Sequence, residues 1–227
     1  MSNPVPISIH IPPDLQPLAV PLRTWLREHP NYDRLAIGAL IFAYDAEPRI
    51  LLVQRAAAER AFPGCWEIPG GSVEASDPTI LHSVAREVFE ETGLRLTRFV
   101  RQVGDGTEFV TRGGSGGSRR WLKLDFEIEA AEMPVGMQAK AFFDTSNDTD
   151  TSSGLEDIPI ILDPEEHQFY GWATETDVDK SFEDEGKYTF ISPDQRHVML
   201  DGFGLHKADR ERVKRDFERV RKLMENA

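Results

Sequence analysis

The stretch WEIPGGSVEASDPTILHSVAREVFEETGL, residues 66–94, sets a short apolar segment and two glycines directly before a helical pattern rich in acids. Ile80, Leu81, Val84, Ala85 and Val88 recur at the 3.6-residue period and make one apolar sector. Asp77 as N-cap, Pro78 at the first helical position and Gly93 as C-terminal stop predict a helix over residues 78–92. Glu87, Glu90 and Glu91 stand at i, i+3 and i+4, so they flank the apolar sector and lie beside the sheet it packs on. Like charges at that spacing cost a few tenths of a kcal/mol each on an exposed helix, and more as solvent is excluded. Two readings follow. One is a solvated acidic face, since Glu is a good helix former. The other is a set of oxygen ligands for a hard cation such as Mg²⁺, which keeps several waters and binds substrate phosphates. Gly70 and Gly71 just upstream favour the second, because they permit close approach of a ligand or metal to the backbone.

Taken whole, the stretch resembles the Nudix box, whose family pattern is Gly, five residues, Glu, seven residues, Arg-Glu, an aliphatic, any residue, Glu-Glu, any residue, Gly, aliphatic. Arg86, Glu87, Val88, Glu90, Glu91, Gly93 and Leu94 match the second half at every defined position. The first half departs from it: five residues beyond Gly71 stands Asp77, and eight residues then precede Arg86. Asp77 is the acid available to replace the brace between loop and helix that the pattern assigns to Glu. The resemblance extends over residues 35–178 and implies an α/β fold, an α/β/α sandwich around a mixed β-sheet. It implies hydrolysis of a diphosphate joined to another moiety, usually a nucleoside: a nucleotide, a nucleotide sugar such as ADP-ribose, or a dinucleotide. It also implies Mg²⁺, or Mn²⁺, on Glu87, Glu90, Glu91 and the Gly70 carbonyl, with Arg86 orienting the acids. Such ions clamp diphosphate oxygens and lower the pKa of a bound water. The general base varies within the family, with Glu91 the first candidate and Glu165 and Glu166 its rivals. The same fold carries two alternatives, a non-catalytic nucleotide-binding module and an isoprenoid diphosphate isomerase. The isomerases look to need a catalytic cysteine, for which Cys65, beside Trp66, is poorly placed.

Outward from the box, residues 35–44 and 49–55 read as core strands, 97–103 as a third and 121–130 as a fourth. In the fourth, Leu122, Leu124, Phe126 and Ile128 alternate with Lys123, Asp125 and Glu127, the pattern of a half-buried strand. Residues 104–120 have the Gly/Ser composition of a flexible loop and lack a P-loop ending. Residues 143–157 read as a mobile acidic insertion, and residues 158–162 and 167–174 as a return to the sheet. Residues 1–33 form an extension with a short helix at Leu22, Trp25 and Leu26, residues 34–178 the main domain, and residues 179–227 a helical extension. In that extension Ser192, Pro193 and Gln195 start a helix and Gly202 offers a stop. Val213, Phe217, Val220 and Met224 then form a stripe that docks on the domain or on a partner.

Residues outside the box carry weaker signals. Arg55 reaches either a phosphate or an ordinary ion-pair partner, and Trp66 either stacks on a base or packs in the core. Arg119 and Arg120 border the glycine loop, and His167 is either a minor acid/base candidate or a surface histidine. With 227 residues and a net charge of −13, the chain suits one core and a small phosphorylated substrate, and disfavours duplex nucleic acid. One cysteine and no long apolar run fit a cytoplasmic protein with no membrane span. Monomer and homodimer stay open.

Overall fold

The computed structural model describes residues 8–44, 47–112, 117–133, 154–182 and 186–225. Two strands of aliphatic residues, β1 (Arg34–Tyr44) and β2 (Pro48–Arg55), form the centre of a six-stranded sheet. β3 (Trp66–Glu67), β4 (Leu96–Arg112), β5 (Ser118–Ala130) and β6 (His167–Thr174) complete it in the order β3-β2-β1-β5-β4, with β6 also on β2. β1 runs parallel to β5 along its length but pairs with β2 only at its end, from Phe42↔Ile50 to Tyr44↔Pro48. The two strands therefore splay. The gap is filled by β3 and by the Gly-rich turn after it, whose Pro69 and Gly71 carbonyls accept from the Ala39 and Ile37 amides at 2.8 and 2.9 Å. The splay sets the turn against the middle of the sheet.

Helices cover both faces, which gives the α/β/α sandwich that the resemblance implies. On one face α2 (Ile80–Thr92) buries Ile80, Leu81, Val84 and Val88 against Leu35, Ile37 and Ala39, beside Trp25 of α1 (Leu22–Glu28). Each such side chain contributes about 1.5–3 kcal/mol by leaving water. After α3 (Glu175–Asp179), α4 (Pro193–Glu225) lays Val198, Met199 and Phe203 on the other face over Leu40, Ile50 and Leu52.

Several expectations need correcting. Helix α2 starts at Ile80, capped by Thr79, whose hydroxyl accepts from the His82 amide, so neither Asp77 nor Pro78 opens it. Gly202 does not stop α4; it lies inside the helix because a β-carbon there would come 2.4 Å from Leu40 Cδ2. Residues 104–112 and 118–120 belong to strands β4 and β5, and residues 113–116 lie outside the described residues. Residues 158–162 form no strand: Pro159 lacks a donor, and the Ile161 amide instead satisfies the Thr92 carbonyl at the end of α2. Asp125 and Glu127 are only 1% and 4% exposed, because both faces of β5 are covered. The stripe on α4 is half-buried at Val213 but exposed at Phe217, Val220 and Met224. The helix spans about 50 Å at 1.5 Å per residue. Most of the acidic insertion lies outside the described residues, and Leu155–Asp157 form a single 3-10 turn. Among the described residues no helix is long and apolar enough to cross a membrane.

Candidate active site

The site forms where α2 passes under the Gly-rich turn. Gly70 (φ +156°) must be glycine because a β-carbon there would lie 2.2 Å from the Ile37 carbonyl oxygen. Its amide donates to Glu91 Oε2 at 2.8 Å. At Gly71 a β-carbon would lie 2.5 Å from Glu87 Oε1, so the missing side chain is the cradle for that carboxylate. The two glycines thus admit Glu91 and Glu87 beneath the backbone, and both acids are buried. Glu90 points outward to solvent and to Arg86.

Arg86 ties the loop to the helix. Its Nε and Nη2 donate to the two Asp77 oxygens at 2.9 and 3.1 Å, Nη2 also to the Ser72 carbonyl, and Nη1 lies 2.9 Å from both Glu87 Oε1 and Glu90 Oε2. Asp77 therefore supplies the brace despite the extra residue in the loop. Burial pulls the Asp77 carboxyl up, but Arg86 and the Glu74 amide outweigh it and hold it below the ordinary range.

Three side chains outside the box complete the cluster. Glu67 of β3 is buried and paired with Arg55 Nη1 at 2.8 Å, while Arg55 also holds Glu59 and the Ala61 carbonyl. Burial raises the Glu67 carboxyl, but His167 and Arg55 outweigh it and hold it down. His167 is 1% exposed, which overturns its reading as a surface histidine. Glu166, exposed at the rim, brings a carboxylate oxygen into a group with Glu91 and His167 whose ligand atoms all lie within 4.8 Å of one another. Glu165 is exposed beside it. Burial first, then the negative Glu67, pushes the Glu91 carboxyl well above its ordinary range, and the Gly70 amide opposes this. Burial likewise raises Glu87, against Arg86. Trp66 packs edge-on against Tyr188 with ring centroids 5.0 Å apart.

The sequence reading missed Glu67 and the burial of His167. A signal for Glu67 was present: Trp66 and Ile68 flank it in a strand, so it faces away from both apolar neighbours. The donor set fits a hard divalent cation. Glu67, Glu87, Glu91 and Glu166 converge, Arg86 and Arg55 are already paired, and a cation would offset the burial and the repulsion that together keep Glu91 raised.

The NUDIX domain family matches residues 34–192, well over half of the chain, and the chain belongs to this family. RNA pyrophosphohydrolase of Bartonella clarridgeiae is 24% identical over 172 residues, covering 68% of this chain and 92% of that protein. m7GpppN-mRNA hydrolase NUDT17 of Danio rerio is 41% identical over 61 residues, 27% of this chain. The chain covers only 20% of that relative's length. Among solved structures, the MutT NUDIX hydrolase from Burkholderia pseudomallei is similar at 20% identity and a TM-score of 0.46, over 74% of this chain and 96% of that one.

Proposed function

We propose that this chain hydrolyses a diphosphate linkage in a nucleoside-diphosphate derivative by attack of water on phosphorus. One observation carries the reading: a buried Glu91, crowded by Glu67, Glu87 and Glu166 at a backbone turn built to admit it. A divalent ion, Mg²⁺ or Mn²⁺, held by Glu87, Glu91 and the Gly70 carbonyl with Glu90 at the rim, would neutralise diphosphate oxygens and acidify a bound water. The protein's own part is positional. Arg86 fixes the bearing of Glu87 and Glu90 on the helix and anchors the turn through Asp77. The Gly70 amide holds one Glu91 oxygen, so the other faces the ion and the attacking water, whose proton it would accept. Glu166 and Glu165, on the loop opposite, are the rival bases. Arg55 neutralises Glu67 and faces the cluster as a candidate phosphate contact, and Trp66 supports β3 more than it offers a stacking face. Mg²⁺-dependent release of mononucleotide or phosphate from nucleotides, nucleotide sugars and dinucleotides tests this reading. Ligand-induced thermal stabilisation without turnover of any of them favours the non-catalytic binding module.

A second reading, in which the diphosphate ends an RNA strand, is favoured by the face of the β4–β5 ribbon. Phe109 and Trp121 stack there at 5.6 Å, with Arg34 in register with Trp121 and Arg119 one pair further along the same face. Aromatic faces between cations suit single-stranded nucleic acid. On this reading a 5′-triphosphorylated oligonucleotide has a lower KM than a mononucleotide, and Trp121→Ala removes the difference; equal KM values in the unaltered protein contradict it.

A further inference from the structure

His167 is buried, yet among the described residues Nδ1 has no hydrogen-bond partner and Nε2 has only a long 3.5 Å contact with Glu67 Oε1. An imidazole left so costs about 1–3 kcal/mol, which calls for a ligand. Its Nε2 stands 3.5 Å from Glu67 Oε1 and 4.0 Å from Glu91 Oε1, so the ring edge is turned into the acidic cluster. Glu67 is engaged by Arg55 at 2.8 Å, which leaves Glu91 and Glu166 as the acids with capacity to share an ion with His167. Two atoms bound to one ion at about 2.1 Å can stand about 4.2 Å apart. Ligands at right angles stand about 3.0 Å apart, so the observed spread, within 4.8 Å, closes with side-chain shifts of about 1 Å.

We propose that the metal centre is a mixed nitrogen and oxygen site, with His167 Nε2 a direct ligand beside Glu91 and Glu166, and that it favours dications that accept imidazole, such as Fe²⁺ or Zn²⁺, over Mg²⁺. The inference rests on the hydrolase reading and adds to it two ligands, His167 and Glu166, and a metal preference. Imidazole suits Zn²⁺ and Fe²⁺, whereas Mg²⁺ takes oxygen ligands almost exclusively; Mn²⁺, the weakest of the first-row dications for such a site, serves as the paramagnetic probe.

Pulsed electron paramagnetic resonance of Mn²⁺ added to the full chain, without substrate, decides it. The expected result is hyperfine modulation from a directly bound ¹⁴N in the unaltered protein. In His167→Gln the modulation disappears and Mn²⁺ affinity falls about tenfold or more, while Mg²⁺ affinity changes less than about twofold. Should His167→Gln fail to fold, the spectrum of the unaltered protein decides alone. Glu166→Gln, at an exposed position, keeps the modulation but weakens Mn²⁺ binding; unchanged affinity there removes Glu166 from the site. Bound Mn²⁺ with no ¹⁴N coupling overturns the nitrogen ligand and leaves the hydrolase reading standing. Failure to bind either ion overturns both.

Discussion

Gly71→Ala should separate catalysis from folding. The new β-carbon would lie 2.5 Å from Glu87 Oε1 and 2.6 Å from its Cδ, where ordinary contact begins at 3.4 Å, so the carboxylate must retreat by about 1 Å. Arg86 Nη1, 2.9 Å from the same oxygen, has to follow or let go. Misplacing a reacting group by about 1 Å costs about 100-fold in rate, or about 2.7 kcal/mol of transition-state stabilisation. The fold loses less, because the crowded atoms end a flexible side chain: about 1 kcal/mol, or roughly 2–4 °C in Tm for a chain of this size. Steady-state kinetics at saturating Mg²⁺, paired with a thermal melt, measure the two separately. A kcat within about twofold of the unaltered protein would refute the fitted turn and the placing of Glu87 in the site, since the loss expected is about 100-fold.

Other expectations follow from the same geometry. Thr79→Ala removes the cap of α2 and costs about 1 kcal/mol of stability, whereas Asp77→Asn weakens the Arg86 clamp and lowers kcat more than Tm; equal effects on both quantities contradict the separate roles. Gly202→Ala should destabilise despite the better helix propensity, worth about 1 kcal/mol, because the methyl group meets Leu40 at 2.4 Å and overpacking costs about 1–3 kcal/mol. Glu127 is raised to about 7 by burial, against Arg101, so the folded state keeps a proton that the unfolded chain loses near pH 4.5. Its contribution, about 3 kcal/mol, is full below pH 4.5 and lost as pH rises through about 7. His206, 2.9 Å away and lowered to about 4 by burial and Arg210, works oppositely, its stabilisation lost as pH falls from 6.5 towards 4. Chemical denaturation should therefore show that Glu127→Gln uncovers a stability that rises between pH 4 and 6.5; a profile unchanged by the substitution refutes the assignment.

Much of this arrangement was legible in the residues. The apolar period of α2 placed its core face, and the αL glycine at Gly93 ended it where expected, with φ +71°. The flank position of Glu87 and Glu91 told that they enter the site, and the i,i+4 spacing of Arg86 and Glu90 told that these two pair, but not that Glu90 is left exposed while Glu87 is buried. Asp77 and Thr79 are both good caps in sequence. Only the loop path shows that Asp77 is taken by Arg86 and leaves the helix to Thr79. Long-range pairings were the least legible. Glu67 and His167, 100 positions apart, meet because β3 and β6 both pair with β2. Asp125 and Glu127 alternate like solvent-facing residues, yet the second face of β5 is covered by elements distant in sequence.

If the carboxylate cluster hydrolyses a diphosphate, water must add to phosphorus. Turnover in ¹⁸O-labelled water, with products weighed by mass spectrometry, tests it most directly in the unaltered protein and in Glu91→Gln. One labelled oxygen is expected on a phosphate of one product, and a rate lower by about 10²–10⁴-fold in the folded variant. Label found on the partner moiety, or undiminished turnover in Glu91→Gln, would contradict it.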